Sequence, residues 1–132
     1  MNTLYHCCYA LRYHLVLVTK YRHRCLSAKM LDELRGVFEE QLRLKGGEVL
    51  EFNGEADHVH LLIEVPPSQA LSLVVNNLKS VSSRMLRKWN SAELARHYHH
   101  PVLWSRSYFL SSMGGANLET VKAYIEGQAR PA

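Results

Sequence analysis

Apolar positions in this chain recur with two periods, and the alternation between the two outlines a fold. From Tyr9 to Thr19 the residues are apolar or aromatic with β-branched positions. Leu11, Tyr13, Leu15 and Leu17 fall on one face at period two, which predicts a half-buried strand. After a basic turn, Lys20-Tyr21-Arg22-His23-Arg24, Ser27 is placed to cap a helix; Leu31, Leu34, Phe38 and Leu42 form its stripe and Gly46-Gly47 ends it. Glu48 to Phe52 reads as a short strand, Asn53-Gly54 as a turn, and Asp57 to Val65 as a strong strand stopped by Pro66-Pro67. Ser68 then caps a second amphipathic helix, with Leu71, Val75, Leu78, Ser82, Met85 and Trp89 inward and Lys79, Arg84, Arg87 and Lys88 mostly outward. Residues 90–101 read as irregular, and Val102 to Ser112 as a strand around Trp104, Tyr108 and Phe109. Gly114-Gly115 breaks that strand, and Asn117 caps a last helix from Leu118 to about Gln128.

The order β-α-β-β-α-β followed by a terminal helix is the ferredoxin-like, split βαβ arrangement of an α+β domain: an antiparallel sheet with helices on one face. Residues 1–132, 47% hydrophobic, suffice for one such domain and not for two separate cores. The net charge of +4 favours polyanionic partners, nucleic acid first. Cys7, Cys8 and Cys25 are odd in number and two are adjacent, a poor disulfide framework, so free thiols in a reducing compartment are expected. No secretory pattern opens the chain and no run approaches the roughly 20 apolar residues that span a bilayer, so a cytoplasmic protein without a membrane partner is expected.

Three groups of residues carry possible chemistry. His58 and His60 sit two apart in a strand and project from one face, so both imidazoles can reach one cation. The same spacing arises by chance in chains this rich in histidine, and His97-Tyr98-His99-His100 repeats it in an irregular segment before Pro101, where a solvated loop explains it. Tyr124 and Gln128, four apart on the last helix, share a face; taken alone, a tyrosine beside Val121 and Ile125 reads first as a core anchor. Lys20, Arg22, Arg24, Lys79, Arg84, Arg87 and Lys88 could grip backbone phosphate or could simply solvate a charged face. Tyr21 and Trp104 could stack on bases, although core packing suits Trp104 better.

Taken together, His58-Val59-His60 after a short hairpin, Lys20-Tyr21-Arg22 after strand one, Leu86-Arg87 closing a basic helix, Trp104 through Phe109, Gly114-Gly115, and Tyr124-Ile125-x-x-Gln128 resemble the small HUH tyrosine transposases of bacterial insertion sequences that move as single-stranded DNA. The resemblance runs from about Tyr9 to Gln128. It implies that His58, His60 and Gln128 ligate a divalent metal, Mg2+ or Mn2+, and that Tyr124 is the catalytic nucleophile of a DNA-cleaving and strand-transferring enzyme with a 5′-phosphotyrosine intermediate. It implies as partners single-stranded DNA with hairpins at the element ends and a second copy of the chain. In such a homodimer the active site is completed in cis or in trans, with Gly114-Gly115 as hinge. A non-catalytic single-stranded nucleic-acid-binding module of the same fold is the alternative.

Overall fold

The computed structural model describes residues 2–4, 7–9, 11–112 and 118–128. Its elements are β1 (Asn2–Leu4), β2 (Cys7–Tyr9), β3 (Arg12–Val18), α1 (Ala28–Leu44), β4 (Glu48–Gly54), β5 (His58–Glu64), α2 (Leu71–Trp89), α3 (Ser91–Ala95), β6 (Phe109–Ser112) and α4 (Leu118–Gly127). β1 and β2 pair as a separate antiparallel ribbon that the hydrophobic pattern does not announce. The other four strands form one sheet in the order β4-β5-β3-β6, antiparallel throughout. With α1 between β3 and β4 and α2 between β5 and β6, this is the ferredoxin-like arrangement expected.

Side chains alternate across a strand, so each sheet face can be read from its residues. Leu15, Leu17, Val59, Leu61 and Ile63 face α1 and α2, where Met30, Leu34, Phe38, Leu42, Val75, Leu78 and Leu86 close the main core. Phe38 is fully buried there. Removing its ring leaves a void that the surrounding β-strands are too rigid to fill, so Phe38→Ala is expected to cost about 3–5 kcal/mol, read from denaturant unfolding at constant m.

The opposite face departs from the half-buried expectation for the first strand. Val16 and Val18 are as buried as Leu15 and Leu17, because α4 lies across them through Ile125, with Val121, Tyr124 and Phe109 alongside. A central strand covered on both sides loses its alternation, which is why period two described only half of it.

Local signals fared unevenly. Ser27 caps α1 as expected, its hydroxyl accepting from the Met30 amide, and Gly46 follows the helix at φ +80°, the left-handed conformation that ends helices cheaply only in glycine. Ser68 caps nothing: Pro66 to Gln69 form a turn, and α2 starts after Ala70 with no side-chain cap. β4 runs through Asn53 and Gly54, and the tight turn falls one step later, where the Glu55 amide donates to the His58 carbonyl. A Cβ on Gly54 would lie 2.5 Å from a Leu31 methyl, so glycine there serves helix-to-strand packing rather than a turn. The segment read as irregular contains α3, anchored by buried Leu94 and Tyr98, and the last strand shrinks to Phe109–Ser112, with Trp104 bridging only Thr19. Trp104 is a core residue, its indole N–H donating to the Ser82 hydroxyl at 2.9 Å. Gly114, Gly115 and Asn117, read as hinge and cap, lie outside the described residues.

Candidate active site

His58 and His60 extend from the sheet face opposite α1 and α2, the face that α4 covers. Register fixes this: His58 pairs with Val18 and His60 with Val16, and directly paired residues project to the same side. Both histidines open into one cleft of about 410 Å³ between the β4–β5 end of the sheet and α4, lined also by Arg22, Asn53, Glu55, Val121, Lys122, Ile125 and Glu126. A larger depression, about 800 Å³, is an open groove between α1 and α2 on the other side of the sheet and lacks any histidine or tyrosine.

His58 is held from behind. Its Nδ1 lies 2.8 Å from Asp57 Oδ1, and Asp57 Oδ2 accepts from Arg22 Nε at 2.8 Å. Burial works against ionisation of Asp57, but the hydrogen bonds and charges of His58 and Arg22 outweigh it and hold the carboxyl below its ordinary range. An ionised carboxylate only accepts, so Nδ1 of His58 is the donor in this bond, and Nε2 is its nitrogen without a hydrogen-bond partner among the described residues. A buried carboxylate behind an imidazole is the usual support of a metal-ligating histidine.

His60 is supported differently. Its Nε2 lies 3.0 Å from Nδ1 of His14, the neighbour one strand over, which leaves Nδ1 as its unengaged nitrogen. Burial, with His14 and His58 acting in the same sense against an opposite pull from Glu51, holds His60 below the ordinary histidine value. A histidine whose folded pKa is depressed contributes stability that is complete above its unfolded value of about 6.5 and is lost as the pH falls through the folded value. Metal-free protein should therefore lose unfolding free energy as the pH drops below about 6.5, and His60→Gln should flatten that slope; an unchanged slope in denaturant titrations at several pH values counts against the assignment.

Tyr124 and Gln128 do share a helix face, as their spacing predicts, but that face is turned to β6. The Ser107 hydroxyl lies 3.0 Å from Tyr124 Oη and 3.3 Å from Gln128 Oε1. Ser107 has one proton; donated to Gln128, it leaves Tyr124 as donor to Ser107. Burial raises the phenol above its ordinary value while the Ser107 bond pulls it back in part. His60, Val16 and Phe109 form one row across the sheet, so Phe109, on which Tyr124 packs at 5.7 Å, stands two strands or roughly 10 Å from His60. Between the tyrosine and the histidine cleft lie Val121 and Ile125 of the same helix.

Two imidazoles facing one cleft, one braced by a carboxylate, fit the histidine half of a divalent metal site. Among the described residues no group of three or more His, Cys, Asp and Glu side chains is arranged to hold an ion. Gln128, the third ligand that the resemblance implies, has its amide engaged by Ser107 instead.

Of the seven basic residues read as phosphate contacts, only Arg22 lines the cleft. Lys79 is half-buried and its ammonium donates to the Ser105 and Arg106 carbonyls at 2.8 Å each, clamping the segment that carries Ser107. Lys20 stands over the Tyr21 ring, Arg87 donates to Ser83, Arg84 lines the α1–α2 groove, and Arg24 and Lys88 are exposed. His99 and His100 are exposed and His97 rests near His23 and Tyr98, in keeping with the ordinary reading of that cluster. Sequence reasoning missed Asp57, His14, Ser107 and Lys122. An Asp directly before the histidine pair was the visible signal for the first; the others depend on cross-strand register and helix rotation.

The chain belongs to the IS200-like transposase family, whose pattern matches residues 7–128. It is 29% identical over 127 residues to the transposase for insertion sequence element IS200 of Salmonella typhimurium, covering 96% of this chain and 82% of that one. With the ISDra2 transposase TnpA of Deinococcus radiodurans it shares 32% identity over 120 residues, 91% of this chain and 85% of the relative. A crystal structure of a candidate transposase from Deinococcus radiodurans R1 superimposes with a TM-score of 0.85 at 28% identity over the whole of both chains. The REP-associated tyrosine transposase bound to a REP hairpin shares the fold, with a TM-score of 0.56 at 12% identity over 95% of this chain and 69% of that one. Among the described residues no helix is long and apolar enough to cross a membrane.

Proposed function

We propose that this transposase cleaves and rejoins single-stranded DNA through a 5′-phosphotyrosine at Tyr124, with His58, His60 and Gln128 holding Mg2+ or Mn2+, and so excises and inserts an insertion sequence. The observation that carries the reading is a histidine pair on one sheet face with the tyrosine on the helix packed across that same face. A divalent ion held by His58, His60 and Gln128 would supply positive charge to a scissile phosphate.

The chain's own groups account for the rest. Tyr124 Oη forms a bond to phosphorus, the bond to the 3′-oxygen breaks in line, the phenolic proton passes to solvent and the 3′-oxygen takes one up as it leaves. The phosphotyrosine conserves the phosphodiester bond energy, so a 3′-hydroxyl reverses the step and joins ends without a nucleotide cofactor. Lys122 places positive charge along the cleft.

For Tyr124 to act beside the histidines, α4 must leave its seat on Ser107 and present its other face, either to its own sheet or to that of a second copy. One nucleophile per chain and two ends per element favour a homodimer. Hairpin recognition at those ends is inferred from the hairpin held by the REP-associated structural relative.

The test is direct. Protein with Mn2+ or Mg2+ is incubated with labelled single-stranded oligonucleotides from either flank of its own gene and run on a denaturing gel. A labelled band at the mass of protein plus DNA is expected. If no flanking sequence yields one although the DNA is bound, the chain is instead a non-catalytic single-strand-binding module.

A further inference from the structure

We propose that Asp57 and Arg22 are positioning residues that fix His58 in one tautomer, with its Nδ1–H on Asp57 and its Nε2 lone pair turned to the cleft. The inference deepens the metal-site reading above and rests on His58 being a ligand. It reassigns Arg22 from gripping DNA to holding a carboxylate.

Asp57 is 3% exposed, so its direction is set by the protein and not by solvent. Its backbone carbonyl accepts from the Thr19 amide at 3.0 Å, which ties the residue to the end of β3. One carboxylate oxygen meets His58 Nδ1 and the other meets Arg22 Nε, each at 2.8 Å. An arginine can only donate, so its presence on Oδ2 settles that oxygen as an acceptor and directs Oδ1 to the imidazole. A single N–H, that of Nε, makes this contact.

The turn carrying Arg22 is built for this. Tyr21 and Arg22 have φ of +59° and +57°, a left-handed pair without glycine, which persists only when surrounding contacts enforce it. Those contacts are present. Arg22 N–H donates to the Thr19 carbonyl at 2.8 Å, Lys20 N–H to Leu103 O at 2.8 Å, Thr19 Oγ1 to His23 O at 2.7 Å, and the Tyr98 hydroxyl to Lys20 O at 2.7 Å. The His23 ring stacks on Tyr98 at 5.1 Å. A strained turn, anchored on both sides, aims one guanidinium at one buried carboxylate behind one histidine.

The experiment uses metal-free protein with 15N-labelled histidine. Long-range proton–nitrogen correlation spectra report which nitrogen of His58 carries the proton, and Mn2+ affinity is measured separately by electron paramagnetic resonance. Wild type should show the proton on Nδ1. Asp57→Ala should shift His58 to the Nε2–H form that unrestrained side chains favour and weaken Mn2+ binding about 10- to 100-fold. The pair Arg22→Met/Asp57→Leu, which leaves no unpartnered buried charge, should fold and show the same two changes, while Arg22→Lys, still able to donate once, should stay near wild type. A wild-type proton on Nε2, or wild-type Mn2+ affinity in the folded double variant, overturns the proposal. A protein that passes both readouts yet forms no DNA adduct keeps the positioning role and loses the cleavage reaction.

Discussion

Tyr124→Phe removes the covalent protein–DNA product, by at least about 1000-fold relative to wild type, while leaving the fold intact. The substitution deletes one oxygen. The ring keeps its place against Phe109, and the hydrogen bond lost is to the exposed hydroxyl of Ser107, a difference of about 1 kcal/mol or less in stability. Loss of adduct together with an unchanged melting curve isolates the chemistry from the packing. Adduct formation at the wild-type level in this variant would assign the nucleophile elsewhere. Tyr108, the nearest tyrosine in sequence, packs against the main core beneath Lys79, on the other side of the sheet, and is poorly placed to replace it.

The second large effect separates cleavage from binding. His58→Ala or His60→Ala should lower cleavage by at least about 100-fold, because each removes an imidazole from the cleft. Affinity for single-stranded DNA should change only about two- to three-fold, since most of that affinity comes from cation–phosphate contacts and no cation is removed. Filter binding and cleavage assays on the same preparations measure both. Equal cleavage after either change refutes the histidine pair as catalytic; a parallel fall in binding and cleavage makes it a DNA contact.

Much of the architecture was legible because strands and helices differ in period, and β3, α1, β5 and α2 each run for 7 to 19 residues. What escaped were features set by tertiary contact. The second buried face of β3 exists only because α4 packs there, and α3 is too short for a period to emerge. The last strand looked longer than it is because Trp104 and Leu103 are apolar for the sake of the core, not of a ladder. At the site, spacing placed His58 with His60 and Tyr124 with Gln128 but was silent on the distance between the pairs. That distance depends on how α4 rotates on the sheet, which no local pattern encodes. Likewise Lys79 read as a surface charge, because its solvent-facing position on α2 is covered by a loop that arrives 26 residues later.

The seating of α4 has an energetic corollary. α1 and α2 each bury five side chains, whereas among the described side chains of α4 only Ile125, 9% exposed, is buried, with Val121 and Tyr124 partly covered. At about 1.5–3 kcal/mol for each complete burial, those described contacts are worth a few kcal/mol, less than the described burial of either long helix. Among the described residues α4 is thus held less firmly than α1 or α2, and the helix bearing Tyr124 is expected to undock before either of them while the sheet and its histidines stay folded.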